Sequence, residues 1–405
     1  MSKGDYTYSH VYDMSTQFTS TLALGLVGSF AFVVGYEVVK FRARPSAYRP
    51  SKVASSLPRL STVYRYGIFV SVLSALAYAI HLARGGGLST SLRTLAAGDS
   101  PDTSRLVESS SEYLSAAPIL VACAGIIIAA SIQHLNRFQK AIVVAASLYP
   151  TVLFFLLGNR RFIIPSILIP VIASYFMSGR RPRRLTLLVV APLTFLLVAT
   201  IPYARTSGAR EQAGGTAPIY QKALARPADV WDRFIGGVDT AMLPALGIEL
   251  DTLKRPSDFY LGQASVGDVF LAPIPHVLFP SKPVTARNDM LIRSFGVPCS
   301  RAGCADFSII GTFYQDGWWV GVGLGMLLVG VASGWVWRRR LEAPSDPRRV
   351  VVAATTAVFL PIIFRAGFMP SFTWFLMFLV PSLVGLELAC RQRPGQSATP
   401  RATAR

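Results

Sequence analysis

Eight arginines carry the first chemical signal in this chain: Arg160, Arg161, Arg205, Arg210, Arg287, Arg293, Arg301 and Arg365. All lie in or near one polar stretch, Arg205 to Asp316, or beside the end of an apolar run. A guanidinium stays charged at physiological pH and presents a planar fork of donors that matches phosphate or carboxylate. Such a group beside a membrane end has two readings. It snorkels to the lipid headgroups, or it joins others to hold an anion, such as a diphosphate that enters from the bilayer.

Proton transfer has fewer candidates. His276, in Ala272-Pro273-Ile274-Pro275-His276, is either a packed or solvated residue or a general base. Asp306 and Asp316 flank the segment before a long apolar run; Asp316 suits a base or the N-cap of the helix that follows. Asp99 and Asp102 fit a turn better than a metal pair. Cys299 and Cys304 lie close enough in sequence to form a disulfide outside the cytosol or to remain as two thiols, whereas Cys123 and Cys390 read as inert packing residues. No Gly-rich phosphate loop after a strand, no HExxH and no G-x-S-x-G is present.

The elements that must position these groups are membrane helices. The chain has 405 residues, of which 52% are hydrophobic and 15% charged, well below the roughly 25% charged of a soluble domain. Runs long enough to cross a bilayer, or nearly so, occur at Phe18–Val39, Val63–Ala83, Tyr113–Gln133, Phe138–Leu157, Phe162–Met177, Leu185–Tyr203, Trp318–Trp337, Val350–Phe368 and Phe372–Cys390. The fifth contains Pro165 and Pro170 and is expected to kink or break. The expected fold is therefore an all-α polytopic membrane protein of about nine transmembrane helices, with one large extracytoplasmic loop between helices six and seven. Residues 1–203 form an N-terminal six-helix part, 204–317 the loop, 318–390 a C-terminal three-helix part and 391–405 a disordered tail. Within the loop, Trp231–Leu253 has helical apolar spacing. Prolines break up Phe270–Val284 into irregular chain along the membrane surface, and Trp318 and Trp319 open the seventh helix as an interface anchor.

Orientation follows from charge. With the N-terminus outside, the cytoplasmic segments hold more than half of the 40 Lys and Arg, opposed only by Glu37, Glu342 and Asp346. The formal charge of +19 is then a topological and lipid-facing signal, and no nucleic-acid partner is expected. The polar stretch and its arginines fall on the outer side.

Four short motifs resemble those of the bacterial O-antigen polymerases, the oligosaccharide repeat-unit polymerases. They are Gly158-Asn159-Arg160-Arg161, Phe279-Pro280-Ser281-Lys282-Pro283, the set Ser308, Gly311, Phe313, Tyr314, Asp316, Gly317 and Gly321, and Phe364-Arg365-Ala366-Gly367-Phe368. The resemblance runs from about Leu157 to Phe368, and order and spacing carry it. Two departures stand out. Arg205 to Gly215 and Arg301 to Gly311 each have nine intervening residues where the family pattern has about ten, and Thr312-Phe313-Tyr314 replaces the family's Gly-Glu-Tyr.

The resemblance implies glycosyl transfer at the outer face of the bacterial cytoplasmic membrane, with no metal and no cofactor. An oligosaccharide on undecaprenyl diphosphate is the expected substrate, membrane lipid the surroundings, and a polysaccharide chain-length regulator an expected partner. Arg160, Arg205 and Arg210 would grip the diphosphate; His276 and Asp316 stay the base candidates from their own chemistry, not from the resemblance. Arg161, Lys282, Arg287, Arg293, Arg301 and Arg365 would hold substrate. Two alternatives stay open: another polyprenyl-phosphate-dependent glycosyltransferase, such as an O-antigen-ligase-like enzyme, and a lipid or ion transporter.

Overall fold

The computed structural model describes residues 18–41, 60–84, 117–129, 138, 149, 160–178, 242–271, 274, 279, 281–295, 307–344 and 346–390. Among these residues all regular structure is helical. In chain order the helices are α1 (Phe18–Phe41), α2 (Leu60–Arg84), α3 (Ile119–Ala129), α4 (Arg160–Ser178), α5 (Met242–Thr252), α6 (Asp268–Leu271), α7 (Ala286–Phe295), α8 (Ile309–Glu342), α9 (Pro347–Ala366) and α10 (Phe368–Cys390). A 3-10 turn at Pro256–Asp258 and a π turn at Gln263–Gly267 connect α5 to α6.

Four helical segments are long and apolar enough to cross a membrane: Phe18–Lys40, Ile309–Glu342, Pro347–Ala366 and Ser371–Cys390. They are apolar on both sides. On α1 and α8, Leu26, Phe30, Val320, Leu324 and Leu328 face outward and exposed while Leu24, Val322 and Met326 are buried, a pattern that water would penalise and lipid accepts. These segments coincide with the expected first, seventh, eighth and ninth runs. The second appears as α2, whose apolar part is the shorter Arg65–Ile80. The third is described over Ile119–Ala129 and the fourth only at Phe138 and Tyr149; the sixth, Leu185–Tyr203, lies outside the described residues.

Without a hydrophobic difference between helix and lipid, close backbone approach must hold the helices together. Glycines provide it between α1 and α8. A β-carbon on Gly35 would run into the Leu327 carbonyl, and one on Gly330 into the Phe32 carbonyl. On the other side of the bundle Cys123 is fully buried, its thiol 3.3 Å from the Phe378 carbonyl. Cys390 is buried too, and both are free thiols.

Three expectations change. The fifth run is a continuous helix, α4, despite Pro165 and Pro170. The helix expected to open at Trp318 opens at Ile309, capped by Ser308, whose hydroxyl accepts from the Gly311 N–H at 3.1 Å. Trp318 marks a break within that helix, with φ 57°, a left-handed conformation that strains any residue other than glycine. Part of the expected irregular chain is helical, since α6 extends over Phe270 and Leu271; Ile274, Phe279 and Ser281–Val284 are non-helical as expected.

Helices α8, α9 and α10 alternate in direction, and the two ends of the bundle differ in charge. α4 runs from Phe162, whose ring meets Trp374 at 5.4 Å, to Phe176, whose ring lies under the Arg340 guanidinium at 4.6 Å. Lys40 at the end of α1, Arg338–Arg340 at the end of α8 and Arg348 and Arg349 at the start of α9 therefore share one end of the bundle. The starts of α4, α8 and α10 and the end of α9 lie at the other, which carries the loop elements α5 to α7.

Candidate functional site

The loop is fastened to α8 by one carboxylate. Asp316 is buried, and its Oδ1 accepts from the backbone N–H groups of Gly262 at 3.0 Å and Ala264 at 2.8 Å, while Oδ2 accepts from Ser265 at 2.8 Å. One residue earlier, the Gln315 carbonyl accepts from the Tyr260 N–H at 2.9 Å. The turn at Leu261 and Gly262 has φ of 48° and 91°; glycine takes this conformation freely and leucine does not. Asp316 thus caps the start of the π turn that feeds α6, where exposed N–H groups favour an anion. Of the two sequence readings, capping fits, but the capped segment lies some fifty residues away, and α8 itself is capped by Ser308. With both oxygens committed to N–H groups, Asp316 is a poor acceptor for a substrate proton.

A second acid, which sequence reasoning passed over, packs on the same turn of α8. Glu249 of α5 is fully buried. Its Oε1 accepts from the Gln315 side-chain amide at 2.7 Å, and Oε2 has no partner among the described residues. Gly311 sits directly on this carboxyl; any side chain there would overlap it. Loss of hydration holds the Glu249 carboxyl well above the usual carboxylate range, against the smaller opposing pull of Gln315. One signal for it exists in the sequence: Glu249 stands three residues after Leu246 and seven after Met242, in register with the helical apolar spacing of this stretch.

The third acid is Asp268, at the start of α6 and also buried. The N–H groups of Ala286 and Arg287, which open α7, and the Gln263 side chain face its carboxylate, but none closes a hydrogen bond of full geometry. Burial pushes Asp268 up to about 6, and the nearby Asp316 adds to the rise. A carboxyl that ionises at about 6 when folded and about 4 when unfolded contributes stability that is fully present below about 4 and is lost as pH rises through about 6. Asp268→Asn is therefore expected to melt above the parent protein at pH 7 to 8, by no more than about 3 kcal/mol, with the difference closing toward pH 4. Melting curves of both purified proteins from pH 4 to 8 check this; parallel curves would remove the carboxyl from the account.

Between these elements lies a narrow cleft lined by Ala264, Arg287, Phe307, Thr312, Gln315 and Gly367. Gly367, with φ 82°, is the hinge between α9 and α10, and a side chain there would meet the Phe307 carbonyl. The Thr312 hydroxyl faces the Phe368 N–H at 3.4 Å, and the rings of Phe313 and Phe368 lie 5.8 Å apart. The motif at the start of α8 and the motif around Arg365 are thereby brought into contact, with Arg287 beside them. Arg365 is half-buried in the last turn of α9, two residues before the hinge.

The remaining expected site residues divide in three. Arg160 and Arg161 open α4, at the same end of the bundle as the cleft. Lys282 and Arg293 are engaged locally. Lys282 Nζ donates to the Ile274 carbonyl at 3.1 Å. Arg293 pairs with Asp289 at 2.7 Å and lies over the Tyr260 ring, whose hydroxyl also donates to Asp289 at 2.7 Å. Arg205, Arg210, His276 and Arg301 lie outside the described residues, as do Asp306, Cys299 and Cys304. Among the described residues no group of three or more His, Cys, Asp and Glu is placed to hold a metal ion. No protein-family model, curated protein or solved structure matches this chain.

Proposed function

We propose that this chain is a membrane glycosyltransferase that joins oligosaccharide units carried on undecaprenyl diphosphate into polysaccharide, at the outer face of the bacterial cytoplasmic membrane. Nine helices would hold the Arg205–Asp316 loop at that face. One observation carries the reading: the cleft that gathers Arg287, Thr312, Gln315 and Gly367 sits at the end of the apolar helices away from Arg338–Arg340, where two of the motifs meet. The acceptor hydroxyl would attack the anomeric carbon, its bond to the diphosphate oxygen would break, and the proton would pass to a base, for which His276 is the candidate. Negative charge then grows on the leaving diphosphate, and a guanidinium already in place stabilises it. The burial that raises the Glu249 carboxyl disfavours a full negative charge beside that anion. The cleft itself is too narrow for the substrate, so sugar and lipid would lie over its mouth, against the exposed Leu261, Val266 and Phe270.

A second reading, transport, draws on one feature: the helix break at Gly317–Trp318 directly follows the buried Asp316 carboxyl, and transporters bind substrates at broken helices. A strain lacking the gene separates the two. Loss of a polymerase leaves single lipid-linked units exposed on the outer surface, and re-expression restores long chains. Units retained on the inner side would favour transport and end the polymerase reading.

A further inference from the structure

At the opposite end of the bundle from the cleft, α8, α9 and α10 leave a groove of about 460 Å3. Its lining follows the same order on all three helices. Arg339 lies nearest the end of α8, with Trp335 and Val336 one turn deeper; Arg348 and Arg349 open α9, with Val352 one turn deeper; Glu387 lies near the end of α10, with Leu383 and Val384 one turn deeper. The deeper residues belong to segments apolar enough to cross a membrane. The groove is thus an apolar slot beneath a charged rim.

The rim is cationic on balance. Arg348 pairs with Glu387 at 2.8 Å. Arg349 donates to the Arg339 carbonyl at 2.8 Å and lies 3.5 Å from Asp346 and 3.6 Å from Glu342. Arg339 lies over the Trp335 ring at 4.8 Å and has no carboxylate beside it among the described residues. Arg338 lies outside the groove and pairs with Glu342 at 3.0 Å; with Arg340 adjacent, the remaining cations outnumber Asp346 and Glu387.

We propose that this groove binds one anionic phospholipid, with an acyl chain against Val352, Leu383 and Val384 and its phosphate on Arg339 and its neighbours. A soluble anion would use the rim but leave the apolar slot wet. A zwitterionic lipid would fill the slot but gain little from the surplus charge. The charge asymmetry assigns this end to the cytosol, so the lipid would come from the inner leaflet. This site is separate from the glycosyl-transfer reading and stands or falls without it.

The test is native mass spectrometry of the purified full chain in neutral detergent, titrated with phosphatidylglycerol or phosphatidylcholine. Phosphatidylglycerol is expected to bind at least about tenfold more tightly, since each basic residue near a membrane surface is worth roughly fivefold. The triple variant Arg339→Gln, Arg348→Gln, Arg349→Gln should lose that preference. Arg338→Gln, on the same end but outside the groove, should keep it. Val352→Phe, which fills the slot and leaves every charge in place, should weaken phosphatidylglycerol binding, and millimolar inorganic phosphate should not displace it. Equal binding of the two lipids, an unchanged preference in the triple variant, or displacement by phosphate with no effect of Val352→Phe would each overturn the proposal.

Discussion

Arg287→Ala is expected to lower polymer formation by about 100-fold or more while the protein inserts at its normal level. Arg287 opens α7 and lines the cleft with Thr312, Gln315 and Gly367. If the diphosphate leaves across this cleft, the guanidinium meets charge that grows as the glycosidic bond breaks, and a contact of that kind lowers the barrier by about 2.7–4 kcal/mol. Arg287→Lys retains the charge but loses the planar fork, so it should also be severely impaired. Lys254→Ala provides the contrast. Lys254 is exposed and pairs with Asp251 within the same loop, and exposed pairs of that kind are worth a fraction of a kcal/mol. Polymer length on a gel, from a strain without its own copy, reads all three variants. Long chains from Arg287→Ala would move the diphosphate contact away from this cleft and leave Arg160, Arg205 and Arg210 as the groups to test.

Hydropathy made the long helices legible, because a segment bathed in lipid must be apolar all round and so announces itself residue by residue. The first turns of α8 did not. Ser308, Thr312, Gln315 and Asp316 give 308–316 the composition of a loop, yet these residues are buried, because their partners come from elsewhere: Glu249 for Gln315, and the Gly262–Ser265 turn for Asp316. Capping was a sound reading of Asp316 and its target was not, since sequence spacing shows only local caps. Of the arginines singled out, Arg287 lines the cleft and Arg293 does not, although both stand on α7; a count of basic residues cannot separate the two. Glu249 was legible only as an acid on an apolar helical face, which becomes informative once the element facing it is known.

Asp316 offers the sharpest separation between a chemical and an architectural role. Asp316→Ala removes the acceptor of three backbone N–H groups at once, at a buried site. Each orphaned donor costs on the order of 1–3 kcal/mol, and a loop can limit the total by opening, so a local loss of about 3–5 kcal/mol is expected. The strained Leu261 turn should then relax, and amide exchange across 259–271 should accelerate together with cleavage by trypsin after Lys254. Asp316→Asn is milder. Its oxygen can still serve Gly262 and Ala264, but its NH2 faces the Ser265 N–H, so one bond is lost and roughly 1–2 kcal/mol with it. Polymer formation should follow the same order, partly retained in Asn and absent in Ala, because the turn carries Ala264 to the cleft. A general base would behave differently: Asn would leave the amide-exchange pattern of the parent intact and abolish activity as completely as Ala. That result would return Asp316 to the chemistry and make the three N–H bonds a means of orienting it.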